Sequence, residues 1–200
     1  MDSVPAAVRA ARDRLFAALL HGLPSQLDNS PGAPPLESIV EGVPSPELPV
    51  QLAQTIVIGE INDLNPRIMP GAPGVYTEYH VAVSSVLTNR SAWHGTSFDS
   101  LELGGFAQTP EGRVVAQRLH GVGRQLESGN TYLMFVNYRA SAECFTVVKL
   151  WEIRNGVVVA TLRDDLARVN QKTSSVNGSP ITSVVGRLQA AIAALQPPSN

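Results

Sequence analysis

Cysteine is all but missing: the single residue Cys144 in a chain of 200 leaves no internal disulfide and no thiolate-rich zinc site. Histidine is nearly as scarce. His21, His80, His94 and His120 share no metal-ligand spacing with one another or with a carboxylate, so neither an HxH nor an HExxH site is present. Charge is thin at 16%, against about 25% in an average soluble domain, and it is balanced, with 15 basic and 17 acidic residues. No basic stripe can neutralise a phosphate backbone. Aromatics make up 6% of the chain and sit inside apolar runs instead of alternating with Arg or Lys, so a nucleic-acid partner is not expected.

Long apolar runs are lacking too, and none approaches the roughly 20 residues that cross a bilayer. No membrane span is expected. The run Leu15–Leu20 follows Asp2, Arg9, Arg12, Asp13 and Arg14 and does not read as a signal peptide, so the chain reads as soluble and without a leader. What is present is a 44% apolar fraction, enough for one core at this length.

Residues 1–23 read as an N-terminal helix: Ser3 caps it, Pro5 suits its first turn, and Val8, Leu15, Leu19 and Leu23 recur at near-helical spacing. Residues 24–52 read as a proline-rich linker, because Pro24, Pro31, Pro34, Pro35, Pro44, Pro46 and Pro49 remove backbone donors at high density. From 53 to 162 the pattern is that of strands. The run from Ala53 to Leu64 is β-branched with Gly59 inside it, as in a strand that bends or bulges, and Pro66, Pro70, Gly71, Pro73 and Gly74 predict a loop after it.

Along Val75–Val83, Val75, Thr77, Tyr79, Val81 and Val83 fall on a core face, leaving Tyr76, Glu78 and His80 on a wet one. The alternation slips at Ser84-Ser85, a bulge or a strand end. Phe98–Leu103, Arg113–Leu119 and Thr131–Tyr138 predict further strands. Cys144–Ile153 and Val157–Leu162 flank Asn155-Gly156, the signature of a type I′ hairpin. Residues 163–178 read as loop. Residues 179–196 read as a C-terminal helix capped by Ser179 and started by Pro180, with Ile181, Val184, Val185, Leu188, Ala191, Ile192 and Leu195 on one stripe.

Reactive constellations are few. No GxSxG elbow occurs, Cys144 sits in an apolar strand as a core residue would, and Gly121-Val122-Gly123 is only a fragment of a dinucleotide fingerprint. No cofactor is expected. Two sequons, at Asn89 and Asn177, fall in predicted loops.

The element order does resemble something known. Ile-Val-Ile-Gly-Glu-Ile at 56–61, then Val75–Thr88, then Leu-Glu-Leu-Gly-Gly at 101–105, then Ser-Gly-Asn-Thr-Tyr-Leu-Met-Phe-Val at 128–136 resemble uncharacterised bacterial proteins with netrin-like, metalloproteinase-inhibitor-like OB domains. The likeness covers residues 53–161. It implies a mainly β fold, a five-stranded Greek-key OB-like barrel with the two helices packed on it, in a class used for binding. It transfers no functional residue, because those inhibitors chelate zinc through an N-terminal cysteine and Cys144 is internal. Such bacterial proteins usually look exported.

The reading that follows is a non-enzymatic binding or interaction domain, with Tyr76, Glu78 and His80 as its contact surface and a protein as one class of partner. Two rivals remain: a hydrolase-type enzyme using Glu78, His80 and Glu143 as acid or base, and a structural subunit docking through its terminal helices.

Overall fold

A computed structural model of the chain describes residues 4–20, 48–70, 74–117, 126–160 and 176–195. Within them, helix α1 (Ala6–Leu20) precedes strands β1 (Thr55–Ile68), β2 (Val75–Asn89), β3 (Ser97–Leu103), β4 (Gly105–Gln108), β5 (Val114–Gln117), β6 (Thr131–Arg139), β7 (Cys144–Arg154) and β8 (Val157–Ala160). A short 3-10 turn, Ala140–Ala142, joins β6 to β7, and helix α2 (Ile181–Ala193) follows β8.

The main sheet runs β3-β2-β1-β6-β7-β8, and a parallel pairing of β3 with β7 closes its first five strands into a barrel. This is the OB-like connectivity. Strands β4 and β5 form a separate antiparallel hairpin between β3 and β6.

Bulges supply the curvature that closure needs. The β1–β2 register slips between Ile56 and Val57, between Ile58 and Gly59, and between Ile61 and Asp63; the slip expected at Ser84 is therefore a bulge inside β2. Gly59 belongs to the barrel's inner row, where a Cβ would stand 2.7 Å from Val81 Cγ1 and 2.9 Å from the carbonyl oxygen of Ala82. Only glycine lets the two strands approach this closely.

Pro66, expected in a loop, instead lies within β1. It pairs with Thr77 of β2, and β6 covers β1 only from Thr55 to Glu60, so the missing N–H falls on a side that carries no ladder. At the other hairpin, Asn155 and Gly156 have φ of 53° and 75°, as a type I′ turn requires.

Side chains of these strands divide among three apolar clusters. Val57, Ile61, Tyr79, Val81, Met134 and Phe145 fill the barrel. Outside it, Ile56, Leu133, Phe135, Trp151 and Val158 lie beneath Val184 and Leu188 of α2, and burying each such helix side chain contributes about 1.5–3 kcal/mol. Val50 is buried in the same layer, so the end of the expected 24–52 linker packs against the domain, while 24–47 lies outside the described residues. Pro180 occupies the N-cap position of α2 and no side chain caps it, which corrects the expectation for Ser179. The third cluster, beneath α1, unites Leu15 and Phe16 with Met69, Tyr76, Leu101, Leu103 and Cys144.

Candidate functional site

Helix α1 turns Val8, Arg12, Leu15 and Phe16 toward the barrel, at the i, i+4, i+7, i+8 spacing of one helical face. Arginine in the middle of that stripe is the unusual feature. Arg12 is 2% exposed, and its Nε donates to the carbonyl oxygen of Ala142 at 3.0 Å while one terminal nitrogen donates to Glu78 Oε1 at 2.8 Å. The other terminal nitrogen serves Asp99 Oδ2 at 2.9 Å and the carbonyl oxygen of Glu143 at 3.1 Å. Burial works against this charge, but the hydrogen bond and charge of Glu78, aided by Asp99, outweigh it and raise the guanidinium above its ordinary value.

The face expected to be wet is therefore largely covered. Tyr76 is fully buried, stacked on Phe16 with ring centroids 5.2 Å apart, donating its hydroxyl to Asp13 at 2.9 Å and accepting from Arg9. Burial pushes its phenol well above the usual tyrosine range. Glu78 is 6% exposed and pairs with Arg9, Arg12 and Arg67. The sequence pattern could show that Tyr76, Glu78 and His80 share a face, but not that a helix some 60 positions earlier lies over two of them. Only His80 stays exposed, with Nδ1 at 3.1 Å from Asp99 Oδ1, its cross-strand neighbour.

Where the cover of α1 ends, a cleft of about 390 Å³ opens, within the range of small-ligand sites. Val4, Pro5 and Val8 form the α1 side, and Arg12, His80, Asp99 and Glu143 bring its polar groups. Trp93, Phe98, Tyr138 and Phe145 line the remainder. Trp93 meets both Phe98 and Phe145 edge to face at 5.6 Å, and Tyr138 meets Phe145 at 5.1 Å. Asn89 holds the loop that carries Trp93: its amide donates to the Trp93 carbonyl at 2.6 Å, and its oxygen accepts from Thr55 Oγ1 at 2.9 Å. The first sequon's asparagine is thus tied into the fold.

Glu143 stands at the cleft rim in left-handed backbone conformation, φ 45° and ψ 47°, just after the 3-10 turn. Burial raises the Tyr138 phenol, and the Glu143 charge adds to the effect. Of the three acid–base candidates, His80 and Glu143 line this cleft, and Glu78 is spent on arginines beside it. Arg12, Trp93, Asp99 and Tyr138 were not singled out from the sequence. Arg12 alone left a signal, since it lies four positions after Val8 and three before Leu15.

Cys144 is buried and lies beneath α1, as expected of a core thiol. His94 is exposed, while His21, His120, Gly121 and Gly123 lie outside the described residues. Among the described residues no helix is long and apolar enough to cross a membrane, and no group of three metal-ligating side chains occurs. Comparison with protein-family models, curated proteins and solved structures finds no match to the chain, so the cleft rests on its own geometry.

Proposed function

We propose that this chain is a non-enzymatic binding domain that takes its ligand in the cleft between the start of α1, the β2–β3 face and the turn into β7. The carrying observation is an open cleft of about 390 Å³ beside β2 and β3, walled in part by Trp93 and Tyr138, on the face where OB barrels commonly receive ligands. Val8, Leu15 and Phe16 of α1 and Val184 and Leu188 of α2 are buried on the chain's own barrel, which favours this reading over a subunit that docks through these helices. The netrin-like resemblance is in keeping with a binding role.

A fragment screen by two-dimensional NMR tests the proposal. Hits should shift the Trp93 indole and His80 while leaving the Trp151 indole, buried beneath α2, in place. Hits that cluster elsewhere on the barrel would overturn it.

One observation supports a second reading. An exposed imidazole held by a carboxylate, His80 on Asp99, is a pairing that general bases use. Turnover in a hydrolase screen that disappears in His80→Ala would establish the enzyme; no turnover leaves the binding domain.

A further inference from the structure

The cleft combines two features that the binding role alone does not require: an aromatic lining and an excess of negative charge. Trp93 and Tyr138, both partly exposed and backed by the buried Phe145, present aromatic rings, whose quadrupole attracts cations and does so best where water is displaced. Among the lining groups Arg12 and His80 both pair with Asp99, so the carboxylate left over is that of Glu143. Arg12 is moreover committed to Glu78 and Asp99, and Arg9 and Arg67 are turned to Glu78 and do not line the cleft. Among the described residues the Glu143 carboxylate has no ion-pair partner. It lines the same cleft as the Tyr138 ring.

A carboxylate beside aromatic rings is the chemistry that holds an organic ammonium, whose weak hydration is readily exchanged for ring faces. Resting on the binding-domain reading, we infer that the cleft receives an alkylammonium group, with Trp93 and Tyr138 as its aromatic walls and Glu143 as its counter-charge. An inorganic cation is a poorer match, because among the described residues no three metal-ligating side chains come together.

The test titrates the intact chain with three probes and follows the Trp93 indole by NMR. Choline represents a free ammonium, N-acetyl-trimethyllysine amide represents one carried on a peptide, and 3,3-dimethylbutan-1-ol is the neutral isostere of choline. Both cations should shift Trp93 and bind more tightly than the alcohol, and the tighter of the two identifies the source. Glu143→Gln, an exposed change that keeps side-chain shape, should weaken both cations about three- to tenfold and leave the alcohol unchanged. His80→Lys, which adds a positive charge at the exposed rim, should act in the same direction. Equal binding of the alcohol, or cation affinity indifferent to Glu143→Gln, would overturn the ammonium assignment and leave the cleft standing as a site. Shifts that avoid Trp93 with every probe would remove the assignment and the binding reading together.

Discussion

Replacing Arg12 by Met keeps an unbranched apolar stem in the α1 stripe and removes the guanidinium. Four hydrogen bonds go with it, at 2.8 to 3.1 Å, to Glu78, Asp99 and the carbonyl oxygens of Ala142 and Glu143. Removing one partner of a buried ion pair typically costs about 3–5 kcal/mol, because the surviving charge is left uncompensated. Here the lower end applies. Glu78 retains Arg9 and Arg67, and the Asp99 side chain is 28% exposed and can be hydrated. A loss of about 3 kcal/mol is a large part of the roughly 5–15 kcal/mol that holds a domain together, so the urea midpoint should fall steeply. Arg12→Lys should recover little, since one ammonium cannot reach four acceptors spread around a planar fork. Adding Glu78→Gln to Arg12→Met should recover none of the loss, because that carboxylate still serves Arg9 and Arg67. An Arg12→Met protein weakened by less than about 1 kcal/mol would refute the claim that this arginine anchors the helix.

Tyr76 sets an alkaline limit. Its phenol is raised by burial, so the folded state favours the neutral form; that stabilisation is complete below the unfolded tyrosine value of about 10 and drains away as pH climbs past it. Tyr76→Phe should flatten the decline in alkaline unfolding curves while costing about 1 kcal/mol at neutral pH through its lost hydrogen bonds. Gly59→Ala should destabilise by about 1–3 kcal/mol in chemical denaturation, because its Cβ meets the Ala82 carbonyl as well as Val81. Leu188→Ala should cost about 2–5 kcal/mol and alter the near-ultraviolet signal of Trp151, which lies in the same layer. Glu143→Gly should raise the thermal midpoint, by relief of a left-handed backbone worth about 1 kcal/mol.

Local chemistry made much of the fold legible. The Asn155-Gly156 turn, the bulge opposite Gly59 and the α2 stripe from Ile181 to Ile192 depend on neighbours within a few positions and stand where the pattern put them, whereas Leu195, expected on that stripe, lies exposed beyond the helix. Strand β6 read as a continuous apolar run because both of its faces are covered, Met134 turning into the barrel and Phe135 toward α2. Other features depend on distant partners. Strand β4, Gly-Phe-Ala-Gln, is too short to show a period and exists through its pairing with β5. Pro66 argues for a loop unless the ladder on one side is known to stop at Glu60. The candidate site was the least legible part. It gathers Arg12 from the first helix, Trp93 from a loop and Glu143 from a turn, and no spacing in the chain links them.

The barrel is shut by very little. Among the described residues only Ser100 with Phe145 and Leu101 with Thr146 pair β3 with β7, so this seam closes a loop of 45 positions (100 to 145) with fewer paired residues than any other in the barrel. Arg12 spans that seam from outside, gripping Glu78 and Asp99 on one lip and the backbone of Ala142 and Glu143, which leads into β7, on the other. The first helix thus acts as a clasp on a hoop. A barrel that has lost it would be expected to gape between β3 and β7 before any other pair of strands parts.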